Sequence, residues 1–280
     1  MRAVERWREQ LERWAIPPEI LAGAPESPWV FPTELFRTRG APDTDREGTT
    51  PTTARALERL PEAGRVLDVG CGGGATSLPL AGRAGTIEGV DAQEDMLDGF
   101  LANARAVGVS AVAVPGRWPE VADAIGPVDV AVAGHVLYNV ADVEPFVLRL
   151  AALAAHRVVF ELTDRHPLAW MNDLWLRFHG LERPTGPNSD DALDVLGEIG
   201  LDATLERWEA PAGVGGFVER ADALALARRR LCLPSSRDDE LASALGTRLS
   251  ERGGLWSVGP PTSQRLATIW FDPSRPGGSW

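Results

Sequence analysis

The sequence predicts an α/β fold with a seven-stranded, mostly parallel sheet and helical additions around it. Between residues 51 and 210, short apolar runs typical of buried strands alternate with amphipathic runs typical of helices. The first apolar run leads into a cluster of glycines, and the last run, residues 265–271, alternates like an edge strand. We expect the last two strands of the sheet to be antiparallel.

The chain is organised around residues 65–81, which read RVLDVGCGGGATSLPLA. The apolar residues up to Val69 predict a buried strand, and the glycines that begin at Gly70 predict a tight turn and then a helix start. Because glycine has no side chain, a ligand can lie against the bare backbone of such a turn. Amides at the start of a helix would add partial positive charge.

Two classes of ligand fit this turn. Gly70, Gly72 and Ala75 satisfy the fingerprint of dinucleotide sites, in which a pyrophosphate lies on a helix N-terminus. Asp68 favours the other class, because a carboxylate just before the first glycine repels a pyrophosphate but pairs with an ammonium group.

The pattern D-x-G-x-G-x-G, which begins at Asp68, resembles the first motif of the class I S-adenosylmethionine-dependent methyltransferases. This resemblance implies a Rossmann-like fold and S-adenosyl-L-methionine as the cofactor. It also implies that the amino acid end of the cofactor is contacted by Asp68, Gly70, Cys71 and Gly72.

A second acidic residue, Asp91, ends the next predicted strand, TIEGVD. An acid at this spacing accepts hydrogen bonds from ribose hydroxyls in both dinucleotide and S-adenosylmethionine sites. The resemblance places the adenine edge near Ala92. It also implies that the loop GRWPE covers the adenine, so that Arg117 or Trp118 stacks on the purine. A core position for Trp118 is the alternative interpretation.

The segment GHVLYNV, residues 134–140, follows the fourth predicted strand. Ligands of doubly wound sheets lie beyond the carboxyl ends of the strands, so His135 and Tyr138 fall in the expected site. We expect His135 to contact the cofactor and Tyr138 to line the substrate pocket. The segment lacks the N/D-P-P-Y/F pattern of enzymes that methylate exocyclic amines of nucleobases. It resembles instead the small-molecule methyltransferases of the quinone-biosynthesis type.

Additions flank the methyltransferase domain, which we expect to span residues 51–272. Residues 1–50 predict an amphipathic helix over 2–15 and then a proline-rich strap, and residues 273–280 form a tail. The strap either packs on the surface or closes over a ligand with Trp29, Phe31, Phe36, Arg37 and Arg39.

Two insertions, residues 164–188 and 211–263, leave the carboxyl ends of the fifth and sixth predicted strands. We expect both to cap the active-site face, the second with helices over 217–232 and 237–252. Their aromatic residues, among them Trp170 and Trp175, form either an apolar substrate pocket or the core of the cap.

Methyl transfer is an in-line displacement, so catalysis depends on alignment and exclusion of water, and a base is needed only for a protonated nucleophile. The chain contains no lysine, which leaves few candidates. His166, just beyond the fifth strand, and His135 are the candidate bases, and each also has a structural interpretation. Glu161 and Asp164 are the nearby carboxylates.

Composition limits the function classes. The net charge of -12 argues against binding of nucleic acid, and the cation run at 228–230 is expected to form a solvated helix face. The two cysteines indicate neither a disulfide framework nor a metal site. No segment is apolar for long enough to span a bilayer, so we expect no membrane partner and a cytoplasmic location.

The sequence therefore predicts S-adenosylmethionine-dependent methyl transfer to an oxygen, nitrogen or carbon atom of a small molecule. Two alternatives stay open. One is an NAD(P)-dependent oxidoreductase, and the other is a protein that binds S-adenosylmethionine without transferring its methyl group.

Overall fold

A computed structural model describes residues 1–29, 49–210, 216–259 and 264–273. Seven strands of these residues form the main sheet, and two more form a separate hairpin. The strands of the main sheet are β1 (Gly64–Val69), β2 (Ala84–Asp91), β3 (Ser110–Pro115), β4 (Val128–Gly134), β5 (Ala154–Thr163), β6 (Thr204–Ala210) and β9 (Gln264–Phe271). The hairpin strands are β7 (Leu249–Arg252) and β8 (Leu255–Val258).

The described residues also form nine α-helices, which cover both faces of the sheet and build the cap. These helices are α1 (Ala3–Glu12), α2 (Pro18–Ala22), α3 (Pro51–Leu57), α4 (Glu94–Val107), α5 (Val143–Leu153), α6 (Asn172–His179), α7 (Ser189–Glu198), α8 (Arg220–Arg230) and α9 (Asp238–Leu245). Among these helices, none is both long and apolar enough to cross a membrane.

The strand order is β3-β2-β1-β4-β5-β9-β6, which confirms the predicted Rossmann-like class. The last two strands of the main sheet, β6 and β9, are antiparallel to each other, as expected. Because β9 lies between β5 and β6 and pairs antiparallel with both, β6 runs in the same direction as β5. Ala210 at the end of β6 pairs with Gln264 at the start of β9, so the insertion between them leaves and returns at the carboxyl edge.

The glycine segment differs from its prediction. Residues after Gly70 form turns, followed by a single 3-10 turn at Leu78–Leu80, and no α-helix starts here. Each glycine disfavours a helix by about 1 kcal/mol relative to alanine, and Pro79 lacks the amide that a helix interior requires. The positive backbone charge of a helix N-terminus is therefore absent from this turn.

The predicted insertions share one hydrophobic core that is separate from the cores on the sheet. It joins α6, α8, α9 and the hairpin, with Ile16 of the N-terminal segment packed among them. The predicted helix over 237–252 ends early, because α9 stops at Leu245 and the chain then forms β7 and β8. Gly253 and Gly254, both with positive φ, make the two-residue turn of this hairpin.

The cation run is not wholly solvated. Arg228 pairs with Asp238 and Glu26, and Arg229 also pairs with Glu26. Arg230 is buried, and burial lowers the pKa of its guanidinium to about 10. Three successive helix positions point in different directions, so one of them faces the cap core.

The N-terminal helix is part of the fold rather than an appendage. It packs against α5 and α7, and its Trp7 is fully buried with the indole Nε1 donating to the carbonyl of Val140 at 2.9 Å. This contact fixes the segment that follows β4. Of the predicted strap, residues 30–48 lie outside the described part of the chain, and residues 274–280 of the predicted tail do so too.

We predict that Trp7→Ala lowers the free energy of unfolding by about 3–5 kcal/mol, because it leaves a large cavity under α1. Trp7→Phe should cost less, since most of the ring stays. Urea unfolding followed by circular dichroism measures both. Trp29→Ala is the matched control, because Trp29 is 56% exposed, and it should change stability by about 0.5 kcal/mol or less. Equal losses for Trp7→Ala and Trp29→Ala would contradict the packing described here.

Candidate functional site

The carboxyl ends of four neighbouring strands bring the candidate polar residues to one edge of the sheet. Asp68 lies in β1 one residue before its end, Asp91 ends β2, His135 follows β4, and Glu161 lies near the end of β5. The topology therefore collects residues that are far apart in the sequence, as the prediction required.

Asp68 is a fully buried carboxyl group with one oxygen satisfied. Its Oδ2 accepts a hydrogen bond from the hydroxyl of Ser77 at 2.5 Å, whereas Oδ1 has no hydrogen-bond partner among the residues that the structure describes. Burial raises the pKa of this carboxyl to about 7, an effect that the Ser77 hydrogen bond opposes and the nearby Asp91 reinforces. An ammonium group that reached Oδ1 would satisfy it and favour the ionised form.

The glycine turn is in close contact with the segment after β4. A Cβ at Gly70, where φ is +70°, would collide with the side chain of Val136, and a Cβ at Gly134 would collide with the Thr76 hydroxyl. At Gly72 a Cβ would meet nothing within 4 Å. The backbone at Gly72 therefore borders open space, as a cofactor site requires.

Asp91 is held by backbone amides at the end of β2. Its Oδ2 accepts from the amide of Gly72 at 3.0 Å, and its Oδ1 accepts from the amide of Gln93 at 2.9 Å. Each oxygen keeps a second lone pair, so the carboxylate fits two ribose hydroxyls. Burial, reinforced by the charges of Asp68 and Asp91, raises the pKa of the Cys71 thiol well above its ordinary value, so the thiol stays neutral.

The residues predicted around the adenine divide into two groups. Ala92 and Arg117 are exposed at the carboxyl edge, where they are accessible to a ligand. Trp118 packs edge-to-face on Phe146, and its Nε1 donates to the Phe146 carbonyl at 3.0 Å. These contacts favour the core interpretation of Trp118 and leave Arg117 as the candidate that covers the purine.

His135 and Glu161 form an imidazole–carboxylate pair beside the glycine turn. His135 Nε2 lies 3.2 Å from Glu161 Oε1, and the backbone amide of His135 donates to the Glu161 carbonyl at 2.7 Å. The φ of His135 is +59°, a region that non-glycine residues seldom occupy. With 41% of its side chain exposed, His135 is accessible for chemistry at this edge.

Sequence reasoning missed the residues that support Glu161. Its Oε2 accepts from the hydroxyl of Thr52 at 2.6 Å, and Thr52 lies 2.7 Å from the hydroxyl of Thr268. The Thr268 hydroxyl accepts from the indole of Trp208 at 3.0 Å. Only Thr52 carried a signal, since it lies in the threonine-rich helix start. The others show no local pattern.

Two predicted residues, Tyr138 and His166, are buried and make interior contacts. The Tyr138 hydroxyl donates to the Thr163 carbonyl, and burial raises its pKa. His166 stacks on Trp14 with ring centroids 3.7 Å apart, and its Nδ1 accepts from the amide of Leu168 at 3.2 Å. Burial lowers the pKa of His166 to about 3. The structure therefore argues against the predicted catalytic role of His166 and against Tyr138 as a pocket residue.

The two tryptophans predicted for a substrate pocket belong to the cap core. Trp175 is buried, and the guanidinium of Arg183 lies 4.8 Å from the centroid of its ring. Trp170 packs partly buried on the same core, and its carbonyl accepts from Arg248 at 2.9 Å. Of the two interpretations left open by the sequence, the geometry favours a packing role for both.

Comparison with known proteins decides the family. Residues 45–226 match the family described as "Methyltransferase domain". The chain belongs to this methyltransferase family. This membership and the strand order confirm the predicted class I family, whose methyl donor is S-adenosylmethionine, and they decide against the dinucleotide-dependent oxidoreductases.

The chain is similar to curated proteins and to a solved structure. It is 39% identical over 106 residues to a ubiquinone biosynthesis O-methyltransferase of Rhizobium leguminosarum bv. trifolii, covering 38% of this chain and 40% of that protein. It is 28% identical over 183 residues to the protein of the same name from Rhizobium rhizogenes, covering 58% and 71%. Thus it spans about two fifths of the length of the first relative. The fold resembles the YcgJ protein of Bacillus subtilis, with TM-score 0.52, 17% identity, and coverage of 80% of this chain and 98% of that one.

We predict that the buried carboxyl of Asp68 makes stability fall as pH rises. Its pKa is about 7 in the folded protein and about 4 in the unfolded chain, so unfolding releases a proton between these values. The free energy of unfolding should therefore decrease from about pH 4 to pH 7 through this group, and Asp68→Asn should remove that decrease. Urea unfolding at several pH values, without cofactor, measures it. Equal slopes in both proteins would contradict the burial of an unpaired carboxyl.

We also predict that cofactor binding expels this proton. Near pH 6.5, binding of S-adenosylhomocysteine should release a fraction of a proton as the ammonium group pairs with Asp68, and Asp68→Asn should abolish the release and weaken binding by about tenfold or more. Calorimetry in buffers of different ionisation enthalpy measures both quantities. Asp95→Asn, at an exposed acid of α4, is the control and should behave like the wild type. Proton uptake on binding would count against this arrangement.

Proposed function

We propose that this protein transfers the methyl group of S-adenosylmethionine to a hydroxyl oxygen of a small, largely apolar molecule. The observation that carries the proposal is the buried Asp68 carboxyl beside the glycine turn, because its unsatisfied Oδ1 suits a cationic amine. Asp91 supplies the second anchor, since both of its oxygens can accept from ribose hydroxyls. S-adenosylmethionine combines an ammonium group and a ribose in one ligand and supplies an electrophilic methyl group when bound.

The choice of oxygen rests on two observations. The curated relatives are named O-methyltransferases, although this chain spans only part of their length. In addition, His135 is an accessible imidazole at the same edge, and it can accept the proton that a hydroxyl loses on methylation. A phenol or a hydroquinone is the acceptor class that fits both observations.

The residues of this chain contribute binding, alignment and exclusion of water. Asp68 and Asp91 fix the two ends of the donor, and the backbone at Gly72 allows it to approach closely. The cap leaves and rejoins the sheet at the carboxyl edge, where it can exclude water from the reacting atoms. Alignment of donor and acceptor then supplies most of the rate enhancement.

We predict that isotope-labelled S-adenosylmethionine transfers its methyl group to a catechol or a hydroquinone, and not to an aniline of similar shape. Asp91→Asn should raise the KM for the cofactor by about tenfold, because it weakens charge-assisted hydrogen bonds to the ribose. The measurement is product formation by mass spectrometry, with Asp95→Asn as the matched control.

Other outcomes would support different functions. Transfer only to the aniline, or to a carbon atom, would refute the choice of oxygen. Binding of S-adenosylhomocysteine with no transfer to any compound of a metabolite extract would favour a protein that binds the cofactor without catalysis. Binding of NADH with none of S-adenosylhomocysteine would refute the assignment of the cofactor.

A further inference from the structure

A chain of side-chain hydrogen bonds crosses the sheet beneath the candidate site. It begins at Trp208 on β6, passes through Thr268 on β9 and Thr52 on α3, and ends at the carboxylate of Glu161 on β5. On its other oxygen this carboxylate meets Nε2 of His135. The chain therefore links three strands and a helix to one imidazole.

The direction of each hydrogen bond in this chain is fixed. An indole nitrogen can only donate, so Thr268 accepts from Trp208. The single hydroxyl hydrogen of Thr52 goes to Glu161, so the hydrogen between the two threonines must come from Thr268. All donors thus point towards the carboxylate, which stabilises its ionised form and holds its orientation.

The contact between Glu161 and His135 favours one tautomer of the imidazole. Because a carboxylate only accepts, a neutral His135 that keeps its Nε2 3.2 Å from Glu161 Oε1 places its hydrogen on Nε2 and its lone pair on Nδ1. The backbone also fixes His135 beside Glu161. The amide of His135 donates to the Glu161 carbonyl, and this hydrogen bond holds the residue at its positive φ. Strained residues of this kind cluster at functional sites, where the surrounding structure fixes them.

A purely structural role explains this arrangement less well. Thr52 and Thr268 are almost wholly buried, and two apolar side chains of the same shape would pack there without needing partners. The chain also ends at a histidine that is 41% exposed rather than at a buried group. A buried network that terminates at an accessible imidazole is the arrangement that orients a base.

We propose that Glu161, Thr52, Thr268 and Trp208 are positioning residues, which present Nδ1 of His135 as the base for the acceptor hydroxyl. This inference rests on the proposed function. The hydroxyl proton moves to Nδ1 while the oxygen lone pair forms the bond to the methyl carbon. The electron pair of the carbon–sulfur bond stays on sulfur, which leaves S-adenosylhomocysteine. Glu161 stabilises the imidazolium that results.

The first experiment measures the tautomer without turnover. In the ¹⁵N spectrum of the full chain, whose four histidines are assigned by single His→Gln variants, His135 should carry its hydrogen on Nε2 alone. Thr268→Val should give a mixture of tautomers, and Thr268→Ser should restore the wild-type spectrum. Thr204→Val, at an exposed threonine of β6, is the control. A hydrogen on Nδ1 in the wild type would overturn the proposal.

The second experiment measures the kinetics with the hydroxyl acceptor. His135→Gln should lower kcat by about 100-fold. Thr268→Val should lower it by about tenfold, with both KM values and the Kd for S-adenosylhomocysteine within about twofold of wild type. Thr268→Ser should recover most of the activity. If Thr268→Val does not fold, Trp208→Phe tests the same chain, because it removes the donor and keeps a ring.

The outcomes separate the two proposals. A wild-type protein that methylates no hydroxyl refutes the proposed function. The ¹⁵N spectra would still report whether the hydrogen-bond chain positions His135. Wild-type kcat and an unchanged tautomer in Thr268→Val and in Trp208→Phe would refute the positioning role. A fall in kcat that comes with an equal loss of cofactor affinity would also refute it, since the residues would then act on binding.

Discussion

The rest of the site depends on one constraint, the burial of a carboxyl group at the end of the first strand. Asp68 is fully buried, and the Ser77 hydroxyl donates to its Oδ2, whereas its Oδ1 has no hydrogen-bond partner in the described part of the chain. In such surroundings an anion is costly unless a cation reaches it. The turn that follows must therefore stay open to a ligand, and its glycines keep bulky side chains away from that approach.

The same constraint explains why the glycine fingerprint does not lead to a dinucleotide site. A pyrophosphate needs the amides and the dipole of a helix N-terminus. Here the glycines and Pro79 prevent an α-helix, and Asp68 and Asp91 make the neighbourhood acidic. A cationic amine is stabilised by these features, whereas a phosphate is repelled. The physical argument and the family membership thus agree.

Local patterns predicted the fold and the position of Asp68 and Asp91 at the ends of two strands. The other contacts of the site are long-range and could not be predicted. Alternation of apolar runs places each strand of the sheet, and the acids follow because they end strands. The residues of the hydrogen-bond chain that ends at Glu161 lie at positions 52, 208 and 268, and only the folded arrangement of α3, β6 and β9 brings them together. The stacking of Trp14 on His166 could not be predicted, because nothing in the sequence shows that these two residues meet.

The position of β9 links the architecture to the chemistry. If the sheet had only parallel strands, β6 would lie directly beside β5, and no residue of β9 would face Glu161. Insertion of β9 places Thr268 opposite Glu161 in the register and brings Trp208 within reach from the other side. The helix before β1 adds Thr52, which bridges the pair. The two strands at this end of the sheet, β9 and β6, therefore supply Thr268 and Trp208, which orient His135 through Thr52 and Glu161.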